Sequence, residues 1–103
     1  MDHKVVWSPE AVDDVEAIAD YIARDSEFYA RAVVSRILDA AEAWATYPLA
    51  GRVVPEVSDE TIREQFVYSY RLIYRVVGEI VTVAAVIHGR RLLEAELDRL
   101  KNT

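Results

Sequence analysis

The fold class this sequence predicts is α+β: a helical hairpin packed on one face of a four-stranded, mainly antiparallel sheet, in the order β-α-α-β-β-β-α. Three observations predict it. Two apolar stripes at three- and four-residue spacing, Val12 to Ile22 and Ala30 to Ala45, are separated by a short connection. Three runs rich in β-branched and aromatic residues follow between positions 61 and 88. The chain has 103 residues, enough for one hydrophobic core and too few for two, and no repeat or linker divides it, so residues 1–103 are expected to form a single domain.

Each element has its own signals. "HKVVW" (3–7) reads as a short strand. Ser8 is placed to cap the next segment, and Pro9 suits a first helical position, where its missing N–H is not needed. Val12, Val15, Ile18, Ala19 and Ile22 then form one stripe. Ser26 caps a second helix with the stripe Ala30, Val33, Val34, Ile37, Leu38, Ala41, Trp44 and Ala45, which Pro48 is expected to stop. "PLAGRVVPEVSDE" (48–60) reads as a loop. Strands follow at 61–67, 70–77 and 80–88, with Gly78-Glu79 as a tight turn between the last two. Strand 80–88 is apolar on both faces and therefore central. "LLEAELDRL" (92–100) closes the chain as a short helix.

Alternation assigns the faces. Tyr70, Leu72, Tyr74 and Val76 face the helices; Arg71, Ile73 and Arg75 face away. A two-residue turn at 78–79 pairs Arg75 with Thr82 and Arg71 with Val86, setting His88 diagonally beside Arg71 and turning Val81, Val83, Ala85 and Ile87 coreward. A two-residue loop before strand 70–77 would turn Arg63 and Gln65 coreward, so a three-residue loop is expected; it sends Ile62 and Phe66 to the core and leaves Glu64 as a misfit pointing the same way. The open face then presents Arg63, Gln65, Arg71, Arg75, Thr82 and His88, with Arg90 and Arg91 past its rim. Arginine's planar fork suits phosphate or carboxylate, so this face is the expected binding surface for a macromolecule.

Composition narrows the chemistry. Net charge is −6, yet residues 61–91 carry five arginines against Glu64 and Glu79. With no cysteine there is no disulfide or thiolate metal site, and His3 and His88 stand 85 positions apart, so neither metal nor cofactor is expected. No run approaches a membrane span or a signal-peptide core, and a reducing cytoplasm is the expected location. Asp13, Asp14 and Glu16 read as a solvated helix face, while Trp7, Trp44, Phe66 and the core-face tyrosines read as packing.

The element order together with "YSYRLIYRVVGEIVTVAAVIHGRR", preceded by "WSPEAVDDVEAIADYIA" and "PLAGRVVPE", resembles the RelE/ParE superfamily of bacterial toxins from type II toxin–antitoxin systems over nearly the whole chain. The resemblance implies a compact toxin held inactive by a cognate antitoxin. It also implies one of two activities: messenger RNA cleavage on the ribosome, as in RelE- and YoeB-like members, or inhibition of DNA gyrase, as in ParE-like members. Carried over from the YoeB-like pattern, a nuclease set would be Glu56, Arg71 and His88, with Arg90 adding charge. Glu56 or His88 would exchange protons, and Arg71 and Arg90 would stabilise the phosphate. The aromatic expected after the histidine is absent: Gly89 stands there, and no Tyr, Phe or Trp follows Tyr74.

Two lysines and a net charge of −6 also equip the chain poorly to dock on ribosomal RNA. The ParE-like branch is therefore the expected one, with gyrase as target and Arg63, Arg71, Arg75, His88, Arg90 and Arg91 meeting target or antitoxin. The alternatives are the ribonuclease and a non-toxic interaction module.

Overall fold

The computed structural model describes residues 2–89 and Asp98. Its elements are β1 (Lys4–Trp7), α1 (Pro9–Ala23), α2 (Glu27–Ala43), β2 (Arg52–Val53), β3 (Ile62–Val67), β4 (Tyr70–Val77) and β5 (Ile80–His88). Of the expected closing helix at 92–100, all but Asp98 lies outside the described residues. Two helices cover one face of a mixed five-stranded sheet in the order β1-β5-β4-β3-β2, in which only the β1–β5 pair is parallel.

Five strands replace the expected four because β2 lies inside the segment read as a loop. It spans two residues, Arg52 and Val53, paired antiparallel with Glu64 and Arg63. Two residues just after a glycine carry no alternation, so the pairing partner alone makes them a strand.

Both serine caps form as expected. The Ser8 and Ser26 hydroxyls accept from the backbone N–H groups of Ala11 and Tyr29 at 3.1 and 3.0 Å. Helix α2 ends at Ala43, well before Pro48. Trp44 leaves the helix fully buried and stacks on Tyr74 with centroids 3.7 Å apart, and its indole N–H donates to Gln65 Oε1 at 2.8 Å. Around this pair Val33, Ile37, Ala41, Leu72, Val81, Val83 and Val86 form the helix-side core, each large side chain contributing about 1.5–3 kcal/mol by leaving water.

The strand register departs from expectation twice. β3 and β4 are joined by two residues, Tyr68 and Ser69, rather than three, so Val67 pairs with Tyr70. One residue less reverses every side chain of β3. Arg63 and Gln65 turn to the helix side, opposite Tyr74 and Leu72, while Ile62, Glu64 and Phe66 turn to the far face. Both polar side chains find partners there: Gln65 holds Trp44, and Arg63 Nη1 donates to the Gly51 carbonyl at 3.0 Å.

The second departure is a β-bulge. Tyr74 pairs with Val83 and Ile73 with Ala85, leaving Ala84 as an extra residue in β5. Beyond it the faces swap: Val86 and His88 face the helix side, whereas Ala85 and Ile87, expected coreward, face away. Arg71 therefore pairs with Ile87, not Val86.

The bulge sits where β1 runs out. Ser8 N–H donates to the Val83 carbonyl, the Ser8 hydroxyl donates to the Ala84 carbonyl, and Asp14 Oδ2 accepts from Val86 N–H at 2.9 Å. Asp14, read as a solvated residue, thus closes the sheet edge that β1 no longer covers.

Candidate functional site

The far face is not an open arginine surface. Val54, Ile62, Ile73, Ala84 and Ala85 form a second small core there, joined by Val57 and Ile87, with the residues following β2 as its cover. Set into it is a charge cluster drawn from three strands and that covering segment. β4 supplies Arg71, β3 Glu64 and β2 Arg52; the turn after β2 supplies Glu56.

Arg71 is 5% exposed and Glu64 1%. Arg71 Nε donates to Glu64 Oε1 at 2.8 Å, and Nη2 donates to the same oxygen. Nη1 and Nη2 hold Glu56 Oε2 and Oε1 at 3.0 and 3.1 Å as a bidentate fork. The second Glu64 oxygen accepts from Arg52 Nε at 2.6 Å, and Arg52 reaches solvent. Two carboxylates thus face two guanidiniums, and the buried charges are matched.

The electrostatics follow. The fork from Arg71 holds the Glu56 carboxyl below its ordinary pKa, and the bonds to Glu56, then those to Glu64, raise Arg71 further. Four of the five guanidinium donors are spent on protein carboxylates, so Arg71 has no fork left for a phosphate. Glu56, ionised and stabilised by its partner, is a weak base.

His88 lies across the sheet from this cluster. It pairs with Tyr70 on the helix-side face, is exposed, and meets the Tyr70 ring edge-on at 6.1 Å. Arg71 and His88, expected side by side, therefore sit on opposite faces, separated by the register change at the bulge. Gly89 has a packing role: its N–H donates to the Ser69 carbonyl at 2.7 Å, and a Cβ there would stand 2.8 Å from the Phe66 ring. An aromatic side chain at position 89 would need the β3–β4 turn to move.

The expected site residues thus divide. Arg71, Arg75 and Thr82 share the far face, Arg71 buried and the other two half-buried. Arg63, Gln65 and His88 are on the helix-side face. Arg90 and Arg91 lie outside the described residues. Glu56 does meet Arg71. Phe66, expected in the helix-side core, is half-exposed on the far face with Arg71 6.0 Å from its ring centre. Among the described residues no cluster of ligands suits a metal ion, and no helix is long and apolar enough to cross a membrane.

Two side-chain clusters in the structure are not evident from the sequence. Glu64 carried a signal, as an acid at a position where alternation demanded an apolar residue beside a run of arginines. The other, a cluster of exposed tyrosines at the end of the helical hairpin, carried none, because its members come from separate elements. Tyr29 meets Tyr68 edge-on at 6.4 Å. Arg36 lies 5.7 Å from the Tyr68 ring centre and Arg24 5.9 Å from that of Tyr21. Burial, then the neighbouring Tyr21 and Tyr29, raises the pKa of Tyr70.

A family model described as "ParE toxin of type II toxin-antitoxin system, parDE" matches residues 5–93. The chain is similar to Toxin RelE2 of Caulobacter vibrioides, with 34% identity over 90 residues covering 86% of this chain and 98% of that protein. Three solved structures share the fold. They are a chain of the chromosomal ParDE system from P. aeruginosa (TM-score 0.69, 18% identity, 84% of this chain and 95% of that one); a chain of the RelBE2 toxin–antitoxin complex from Mycobacterium tuberculosis (0.62, 17%, 85% and 99%); and a free E. coli RelE double mutant (0.69, 16%, 99% and 98%).

Proposed function

We propose that this chain, which belongs to the ParE toxin family of type II toxin–antitoxin systems, arrests growth by binding DNA gyrase and is neutralised by a cognate antitoxin. One observation carries the choice against RNA cleavage. Arg71 is buried between Glu64 and Glu56, and His88 stands on the other side of the sheet. General acid–base cleavage needs proton donor, acceptor and cation converging within hydrogen-bond reach of one phosphate. The chain's net charge of −6 adds repulsion to any RNA docking. A protein target asks for neither. On this reading Arg71 is a positioning residue that holds the segment around Glu56 on the sheet.

The test is a supercoiling assay with purified gyrase, run beside an RNA-cleavage assay on translating ribosomes with the same preparation. Inhibited supercoiling with intact transcripts is the expected result, and His88→Ala should leave toxicity unchanged. Normal supercoiling at saturating protein, with transcripts cut only in the presence of His88, would return the chain to the ribonuclease branch.

A further inference from the structure

Tyrosines from four elements meet at the end of the molecule where the helical hairpin turns: Tyr21 of α1, Tyr29 of α2, Tyr68 of the β3–β4 turn and Tyr70 of β4. Tyr21, Tyr29 and Tyr68 are 67%, 48% and 54% exposed, although each contributes a ring to one surface. Clustered exposed aromatics mark contact surfaces in soluble proteins. Tyrosine suits them because it offers a large, stiff, amphipathic area at low entropic cost.

Tyr68 adds a second, independent observation. Its φ is +54°, in a two-residue hairpin turn where glycine or asparagine fits without strain. A tyrosine there costs backbone energy, and with half its surface in water its burial returns little. Strain of this kind collects where a side chain serves a ligand.

The cations say what the ligand is. Arg24 and Arg36 lie over the Tyr21 and Tyr68 rings, and among the described residues neither has a carboxylate within ion-pair distance. Flat apolar rings edged by two guanidiniums without carboxylate counter-ions complement a segment carrying both aliphatic and acidic side chains. Nucleic acid fits less well: its dense phosphates need a continuous basic groove, and this face offers two guanidiniums.

We propose that Tyr21, Tyr29, Tyr68 and Tyr70, flanked by Arg24 and Arg36, form a docking face for a partner-protein segment in which aliphatic residues are interspersed with carboxylates. The proposal does not depend on which macromolecule the toxin inhibits.

The ring-proton NMR signals of Tyr21, Tyr29 and Tyr68 report this face directly. The probes are a synthetic leucine–glutamate peptide of helical spacing, its leucine–lysine counterpart and oligouridylate. The leucine–glutamate peptide should move these signals, and Arg36→Glu should weaken it about tenfold. Tyr68→Gly should weaken it similarly while leaving Tm equal or higher, because glycine relieves the strained φ. Tighter binding of the lysine peptide or of oligouridylate overturns the proposal. So do signals that move with protein concentration alone, signals that no probe moves, and affinity unchanged in both variants.

Discussion

The two faces of the sheet are held by different physics. On the helix side, cohesion comes from area: Trp44, Tyr74, Ile37 and Leu72 are fully buried, and the polar contacts among them are single bonds, as when the Trp44 indole meets Gln65. On the far side the apolar cluster is small, two of its members are alanines, and the covering segment is anchored by Arg71 gripping Glu56. A face covered by helices can rely on the hydrophobic effect, which lacks direction and tolerates small errors. One covered by a turn relies on charges, which must be matched one for one. That contrast explains why Arg71, central to the sheet, offers no free fork: its charge is neutralised from within.

The largest effect expected from testing this contrast is on the helix side. Trp44→Ala removes a fully buried, stacked indole and leaves Gln65 without its donor, so it should cost about 3–5 kcal/mol, read as a shift in the denaturant midpoint. Glu64→Gln comes next. It leaves the Arg71 guanidinium buried beside a neutral amide, and breaking a buried pair from one side costs about 3 kcal/mol or more. The paired change Glu64→Leu with Arg71→Met sharpens the test, since it removes both charges and should recover most of that loss. A double variant as unstable as Glu64→Gln alone would mean that the cluster does more than balance charge.

Gly51→Ala probes the junction of the two regions. A Cβ at position 51 would stand 2.5 Å from the Glu64 carbonyl oxygen and 2.7 Å from the Tyr74 hydroxyl, which accepts from Gly51 N–H. Neither can retreat without moving a strand or the Trp44–Tyr74 stack, so about 1–3 kcal/mol should be lost, seen as a lower Tm.

The smallest effect is at the latch. Glu56 is 40% exposed at its side chain, so solvent screening should keep Glu56→Gln to about 1 kcal/mol or less near neutral pH. Its pKa is lowered by Arg71, so the folded state favours the carboxylate. That stabilisation is present above the unfolded-state value of about 4.3 and is lost as pH falls through the folded one. Parent and variant should therefore converge in stability as the solution is acidified below about pH 4. A gap that widens on acidification would contradict the assignment of Glu56 as the ionised partner.

Legibility of the molecule in its sequence followed the range of the interactions involved. Ser8 and Ser26 cap the helices they precede, and the strands at 70–77 and 80–88 and the turn at Gly78-Glu79 stand where their residues indicated. Register was harder. The choice between a two- and a three-residue β3–β4 connection rested on which placement of Arg63 and Gln65 looked worse for a core. The rejected placement is the real one, because Trp44 and Gly51, distant in sequence, supply their partners. For the candidate site, the two residues that the sequence pairs in a nuclease set, Arg71 and Glu56, do touch, and each fills the other's hydrogen-bonding capacity. Glu64, which joins them, was visible only as a misfit.

By itself, the sequence determined the α+β class, the helical hairpin and the β4–β5 hairpin, since these rest on spacing, capping and turn chemistry read within a few residues; the toxin family it carries as likeness to known sequences. The side of the sheet on which each functional side chain lies was decided only by tertiary structure. A strand's faces invert with a single residue's shift, and that residue was set by contacts across the fold, among them Ser8 and Asp14 on the bulged end of β5.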